Sequence, residues 1–128
     1  MSSKQKNITP EFYIMSRIRP PNKSKRAIYS DLTDNKLMYV VEEKKNLKKE
    51  LIKTKKEFKF DSVFDIDYTN EDIFKEIARP MVENFVSNCN GTFFVYGQTG
   101  SGKTHTTLGT NTEIGFLEYA LNTVKSHP

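Results

Sequence analysis

A single cysteine, Cys89, in 128 residues leaves no pair for a disulfide framework. No apolar run approaches the roughly 20 residues needed to cross a bilayer, and the opening MSSKQKNITPEF carries no apolar stretch of the secretory kind. A membrane role and a secreted one are therefore both without support, and a reducing cytoplasmic setting is the default. Asn7, Asn22 and Asn90 each open an N-x-[ST] triplet, yet with no secretory route these are chance matches. Basic residues are scarce in the second half. Residues 1–60 carry 16 Lys+Arg against 7 Asp+Glu, whereas residues 61–128 carry 4 against 9, so the net charge of +4 hides a basic half and an acidic half.

What is present fits one soluble domain. The length allows one core and not two, and 36% hydrophobic and 28% charged residues with a mean hydropathy of −0.64 lie on the polar side of ordinary globular chains. The basic half admits a polyanion or acidic polymer as partner. Most of its charge, however, lies in EEKKNLKKELIKTKKEFKF, where Lys and Glu are interspersed and Leu47, Leu51 and Ile52 recur at near-helical spacing. That pattern reads as a solvated helix or a lysine-rich loop.

Residues 1–10 read as a flexible terminus. Residues 12–18, FYIMSRI, read as a largely buried strand ended by the prolines of RPPN. Residues 22–35 are polar and turn-prone, KLMYVVEE is a second strand, and FKFDSVF is a half-buried strand that turns at 65–67. Thr69 and Asp72 form a capping box for a helix whose apolar set is Ile73, Phe74, Ile77, Ala78, Met81, Val82, Phe85 and Val86. Pro80 interrupts this stripe without ending it, which predicts a kink. Asn90 and Gly91 are expected to turn the chain into a strand over residues 92–96, with Phe94 and Tyr96 in the core. A helix is expected from Lys103, then a loop over 109–113, then a helix over 116–125 with Leu117, Ala120, Leu121 and Val124 on its inner face.

Between the expected strand and helix lies the stretch that carries chemistry. Gly97, Gln98, Thr99, Gly100, Ser101, Gly102, Lys103 and Thr104 satisfy G-x-x-x-x-G-K-[ST] at every fixed position. Its glycines permit positive φ and close backbone approach, so that successive N–H groups can face phosphate oxygens, with the helix N-terminus behind them. Lys103 supplies a point charge for the β- and γ-phosphates, and Thr104 a hydroxyl for Mg²⁺.

The loop QTGSGKT alone also resembles that of DEAD-box RNA helicases, but no glutamine motif stands upstream. RIRPPN after the first strand, FKFDSVFD before the long helix and NGTFFVYGQTGSGKTHTTLG together resemble the kinesin motor domain, in the same order and at similar spacing. The resemblance is firm over residues 12–109. It implies an α/β P-loop NTPase sheet with helices on both faces, of which only the N-terminal part is present, over residues 11–128, and a small β lobe from residues 22–60. It implies ATP and Mg²⁺ as cofactors, with Arg17, Arg19 and Pro20 beside the adenine and His105 stacked on it. It implies microtubules (tubulin) as partner of the complete motor and a cytoskeleton-associated, cytoplasmic setting, with no membrane and no nucleic acid. GFLEY at 115–119 stands where the family commonly has Gly, two aliphatics, Pro and Arg, which leaves the subfamily open.

Family motor domains are roughly two to three times this length. The resemblance therefore implies that both switch segments, the main microtubule surface and the strand that separates the first strand from the P-loop strand lie beyond Pro128. Two other readings are kept beside the motor: a truncated product that binds nucleotide or a partner without hydrolysis, and another P-loop ATPase acting on nucleic acid through the basic half.

Overall fold

A computed structural model describes residues 12–128, so the terminus over residues 1–10 lies outside the described residues. The described residues form two compact units, one holding residues 12–18 and Arg26–Val63, the other Arg19–Lys25 and Phe64–Pro128.

The first unit is all β. Strand β1 (Met15–Arg17) pairs with β5 (Ser62–Phe64), and β2 (Ile28–Ser30), β3 (Leu37–Lys45) and β4 (Leu51–Lys59) form an antiparallel sheet in that order. Strand β1 is shorter than expected, and Phe12, Tyr13 and Ile14 are exposed, leaving Ile18 as the buried residue of the segment. Ile14 is held instead by backbone polarity, its N–H donating to the Asp61 carboxylate and its carbonyl accepting from Asp61 N–H, both at 2.8 Å.

The lysine-rich stretch is neither helix nor loop; it is most of a β-hairpin. Glu43 stands directly opposite Lys53 in the register, and Lys53–Glu43 and Lys56–Glu42 ion pairs cross the strands at 3.3 Å each. Interspersed charge thus serves cross-strand pairing rather than the i,i+4 pairing of a helix. At the tip, Asn46 Oδ1 accepts from the N–H groups of Lys48 and Glu50 at 2.9 Å, and Lys49 takes φ 61°, which closes the turn. Leu47 is fully exposed on that turn, while Leu51 and Ile52 alternate across β4, so the three never share a face. Nearer the base, Tyr29 stacks on its register partner Tyr39 at 5.6 Å, with Arg26 over one ring and Lys55 over the other.

The second unit is helical. Thr69 and Asp72 make the expected capping box at the start of α1 (Asn70–Ile73), and bonds from the Thr69 backbone and hydroxyl hold the Asp72 carboxyl below its ordinary range. A π-helical turn (Phe74–Ala78) then leads into α2 (Arg79–Val86). Its extra residue falls just ahead of Pro80, where the missing N–H and the ring clash interrupt the regular ladder. Arg79 N–H reaches back five residues to the Phe74 carbonyl. Ile73, Phe74, Ala78 and Val82 are buried, whereas Phe85 is exposed. The helix is stopped by Asn88, at φ 68°, with Cys89 N–H on the Asn84 carbonyl at 2.9 Å; it is therefore Asn88, not Asn90-Gly91, that supplies the left-handed stop. Gly91 has a different task, because a Cβ there would lie 2.5 Å from Met81 Cγ.

Helices α3 (Lys103–Thr107) and α4 (Phe116–Lys125) complete the unit. Phe74 is its centre, edge-on to Phe116 at 5.7 Å and stacked on Tyr119 at 5.3 Å. Helix α4 has the expected bounds but a different inner face: Phe116 is buried and Tyr119 and Ala120 half-buried, while Leu117, Leu121 and Val124 face out. Residues 92–96 form no strand pairing among the described residues. Without a ladder they bury little. Phe93 packs on Phe116 at 5.1 Å, but Phe94 is 70% and Tyr96 96% exposed, against the expectation of a core strand.

Candidate functional site

The glycine loop leaves residues 92–96 and turns into α3, with Ser101 N–H donating to the Gln98 carbonyl at 3.1 Å. Gly100 and Gly102 take φ 78° and 106°. A Cβ on either would meet nothing within 4 Å, so glycine is required there by conformation and not by space. Left-handed residues alternating with ordinary ones through Ser101 and Lys103 make the backbone pattern of an anion nest, in which consecutive N–H groups converge. Gly97 is different. A Cβ there would sit 2.4 Å from Ser101 Oγ, because the loop closes on its own beginning.

Lys103 is half-buried and its ammonium donates to the Gly97 carbonyl. That acceptor is neutral, and a phosphate oxygen makes a shorter and stronger charge-assisted bond to the same group. The donor set therefore fits a phosphate chain. Thr104 is exposed on the first turn of α3, and no cluster of three or more His, Cys, Asp or Glu able to hold a metal occurs among the described residues. One hydroxyl with no carboxylate cage suits an ion that takes most of its ligands from phosphate and water, as Mg²⁺ does. Helix α3 has only five residues, with Leu108 and Gly109 N–H both closing on the Thr104 carbonyl.

Of the residues expected around a base, Arg19 reaches the loop, its guanidinium donating to the Gly100 carbonyl. Pro20 is exposed, and Arg17, half-buried in β1, belongs to the first unit. His105 lies on α3 with Nε2 3.0 Å from Glu113 Oε2.

Sequence reasoning missed the residues behind His105. Asn70 is fully buried, and its Nδ2 donates to the carbonyls of His105 at 2.8 Å and Ile114 at 3.0 Å. Its backbone N–H donates to Glu113 Oε1 at 2.5 Å. One asparagine at the start of α1 thus ties down both α3 and the loop that follows it. That loop is closed by Gly109, φ 85°, against Gly115, where a Cβ on either would lie 2.4 Å from backbone of the other segment. Two glycines bracketing a short loop were the only trace of this in the sequence.

A family model described as the kinesin motor domain matches residues 17–127. The chain belongs to the kinesin motor domain family. Among similar kinesin relatives, human centromere-associated protein E is 32% identical over 113 residues, 84% of this chain and 4% of that protein. Human kinesin-like protein KIF15 is 39% identical over 103 residues, 80% of this chain and 7% of that protein. A solved structure of a fast kinesin superimposes with a TM-score of 0.73 at 26% identity, covering 88% of this chain and 32% of that one. The fold is therefore the N-terminal part of a kinesin motor domain, and the chain spans less than a tenth of the length of these two curated relatives. Membership of this family also decides between the kinesin and helicase likenesses of the loop.

Proposed function

We propose that residues 97–104 bind the phosphates of ATP with Mg²⁺, as the nucleotide-binding part of a motor that moves on or remodels microtubules. The observation that carries this is the loop itself, with Gly100 and Gly102 left-handed and the Lys103 ammonium folded over a neutral carbonyl. Lys103 holds the β- and γ-phosphates, the nest donates N–H groups, and Thr104 offers its hydroxyl to the metal. Arg19, Pro20 and His105, all in the second unit, are assigned to the base side of the site. When bound, Mg²⁺ neutralises phosphate charge during phosphoryl transfer.

The chain's own residues supply only part of that chemistry. No Asp or Glu occurs between Glu83 and Glu113, so no acidic group within or next to the loop in sequence can orient water. A polypeptide of these 128 residues is accordingly expected to bind nucleotide without microtubule-stimulated turnover. The metal assignment is tested with Thr104→Ala in the intact protein. The change should weaken ATP about tenfold with Mg²⁺ present and leave metal-free ATP nearly unchanged, by the loss of one ligand to a charged centre. Equal weakening in both conditions refutes the metal role of Thr104.

A further inference from the structure

We propose that Glu113 is the positioning residue for His105, fixing both the tautomer and the orientation of its ring; this rests on the reading of His105 as a base-stacking residue. The geometry leaves the carboxylate little choice. Oε1 accepts from the backbone N–H of Asn70 at 2.5 Å, a donor that is part of α1 and cannot rotate away. Oε2 then faces His105 Nε2 at 3.0 Å, and because an ionised carboxylate only accepts, Nε2 must carry a proton. The backbone of His105 is held from the same direction, its carbonyl accepting from the buried Asn70 amide at 2.8 Å. The ring is therefore gripped at its edge and at its main chain, with Glu113 and Asn70 acting together. A ring held in one orientation loses less freedom when a flat partner stacks on it.

Glutamine is the decisive substitution because it can satisfy only one of the two donors. Asn70 N–H requires the amide oxygen, so in Glu113→Gln the amide NH₂ points at Nε2 and converts it from donor to acceptor. In the intact protein, ¹⁵N spectra of the His105 ring should report Nε2–H in the unmodified chain and Nδ1–H in the Glu113→Gln variant. A neutral Nδ1–H ring in the unmodified chain overturns the proposal, and that measurement needs no variant to fold. ATP affinity should fall about two- to tenfold in Glu113→Gln, with inorganic triphosphate affinity unchanged and no further loss when the change is added to His105→Ala. The same loss in the His105→Ala background would mean that Glu113 acts elsewhere, refuting the inference and leaving the base reading intact. If His105→Ala weakens ATP and triphosphate equally, the base reading fails and the inference fails with it.

Discussion

Replacing Asn70 by Ala tests the clamp behind the glycine loop. The side chain is fully buried and its amide makes two hydrogen bonds, at 2.8 and 3.0 Å, to carbonyls 35 and 44 residues away in sequence. Each bond contributes about 0.5–1.5 kcal/mol net, and a buried carbonyl left without its donor raises the cost towards about 1–3 kcal/mol. Two such carbonyls give about 2–6 kcal/mol. Alanine is the better helix former at the first residue of α1 and returns up to about 0.7 kcal/mol, so the net loss is expected at about 1.3–6 kcal/mol, a factor of roughly 10 to 25,000 in the folding equilibrium. Urea unfolding of the intact protein reads this as a lower midpoint at unchanged slope. A loss below about 0.5 kcal/mol would mean that water or relaxation replaces both bonds, and that Asn70 is not the tie between α1, α3 and the following loop.

Two further outcomes follow from the same region. Gly109→Ala places a Cβ 2.4 Å from the Glu113 carbonyl oxygen at φ 85°, so it should destabilise by roughly 3 kcal/mol or more; thermal unfolding within a few degrees of the parent would contradict the closed loop. The Asp72 carboxyl is held below its ordinary 3.8, chiefly by the Thr69 backbone N–H. Its contribution is therefore present above pH 3.8 and lost as pH falls through the lower folded value. Amide exchange at the start of α1 should quicken over that acid window in the parent, and a profile identical in Asp72→Ala would contradict the cap.

The elements legible in the sequence were those specified by local chemistry. The Thr69–Asp72 cap and the bounds of α4 depend on residues within a turn of each other, and the glycine loop is a contiguous motif. The hairpin was misread because Lys-Glu alternation fits either pairing scheme, and only the Asn46 turn, with Lys49 left-handed, decides for strands. Leu117, Leu121 and Val124 have the spacing of an inner face, yet Phe116 and Tyr119 win that place by stacking on Phe74. Asn70 and Glu113 were invisible as site residues because their partners are brought together by packing, and nothing in a single polar residue marks such a role.

Lys103 carries the central claim. Lys103→Ala removes the charged donor that folds over the loop to the Gly97 carbonyl, and with it charge-assisted bonds to phosphate of about 1.5–3 kcal/mol. Titration of Mg·ATP into the intact protein and the variant should show affinity falling about 10- to 150-fold. An unchanged dissociation constant in a folded variant would contradict the assignment of residues 97–104 as the phosphate site.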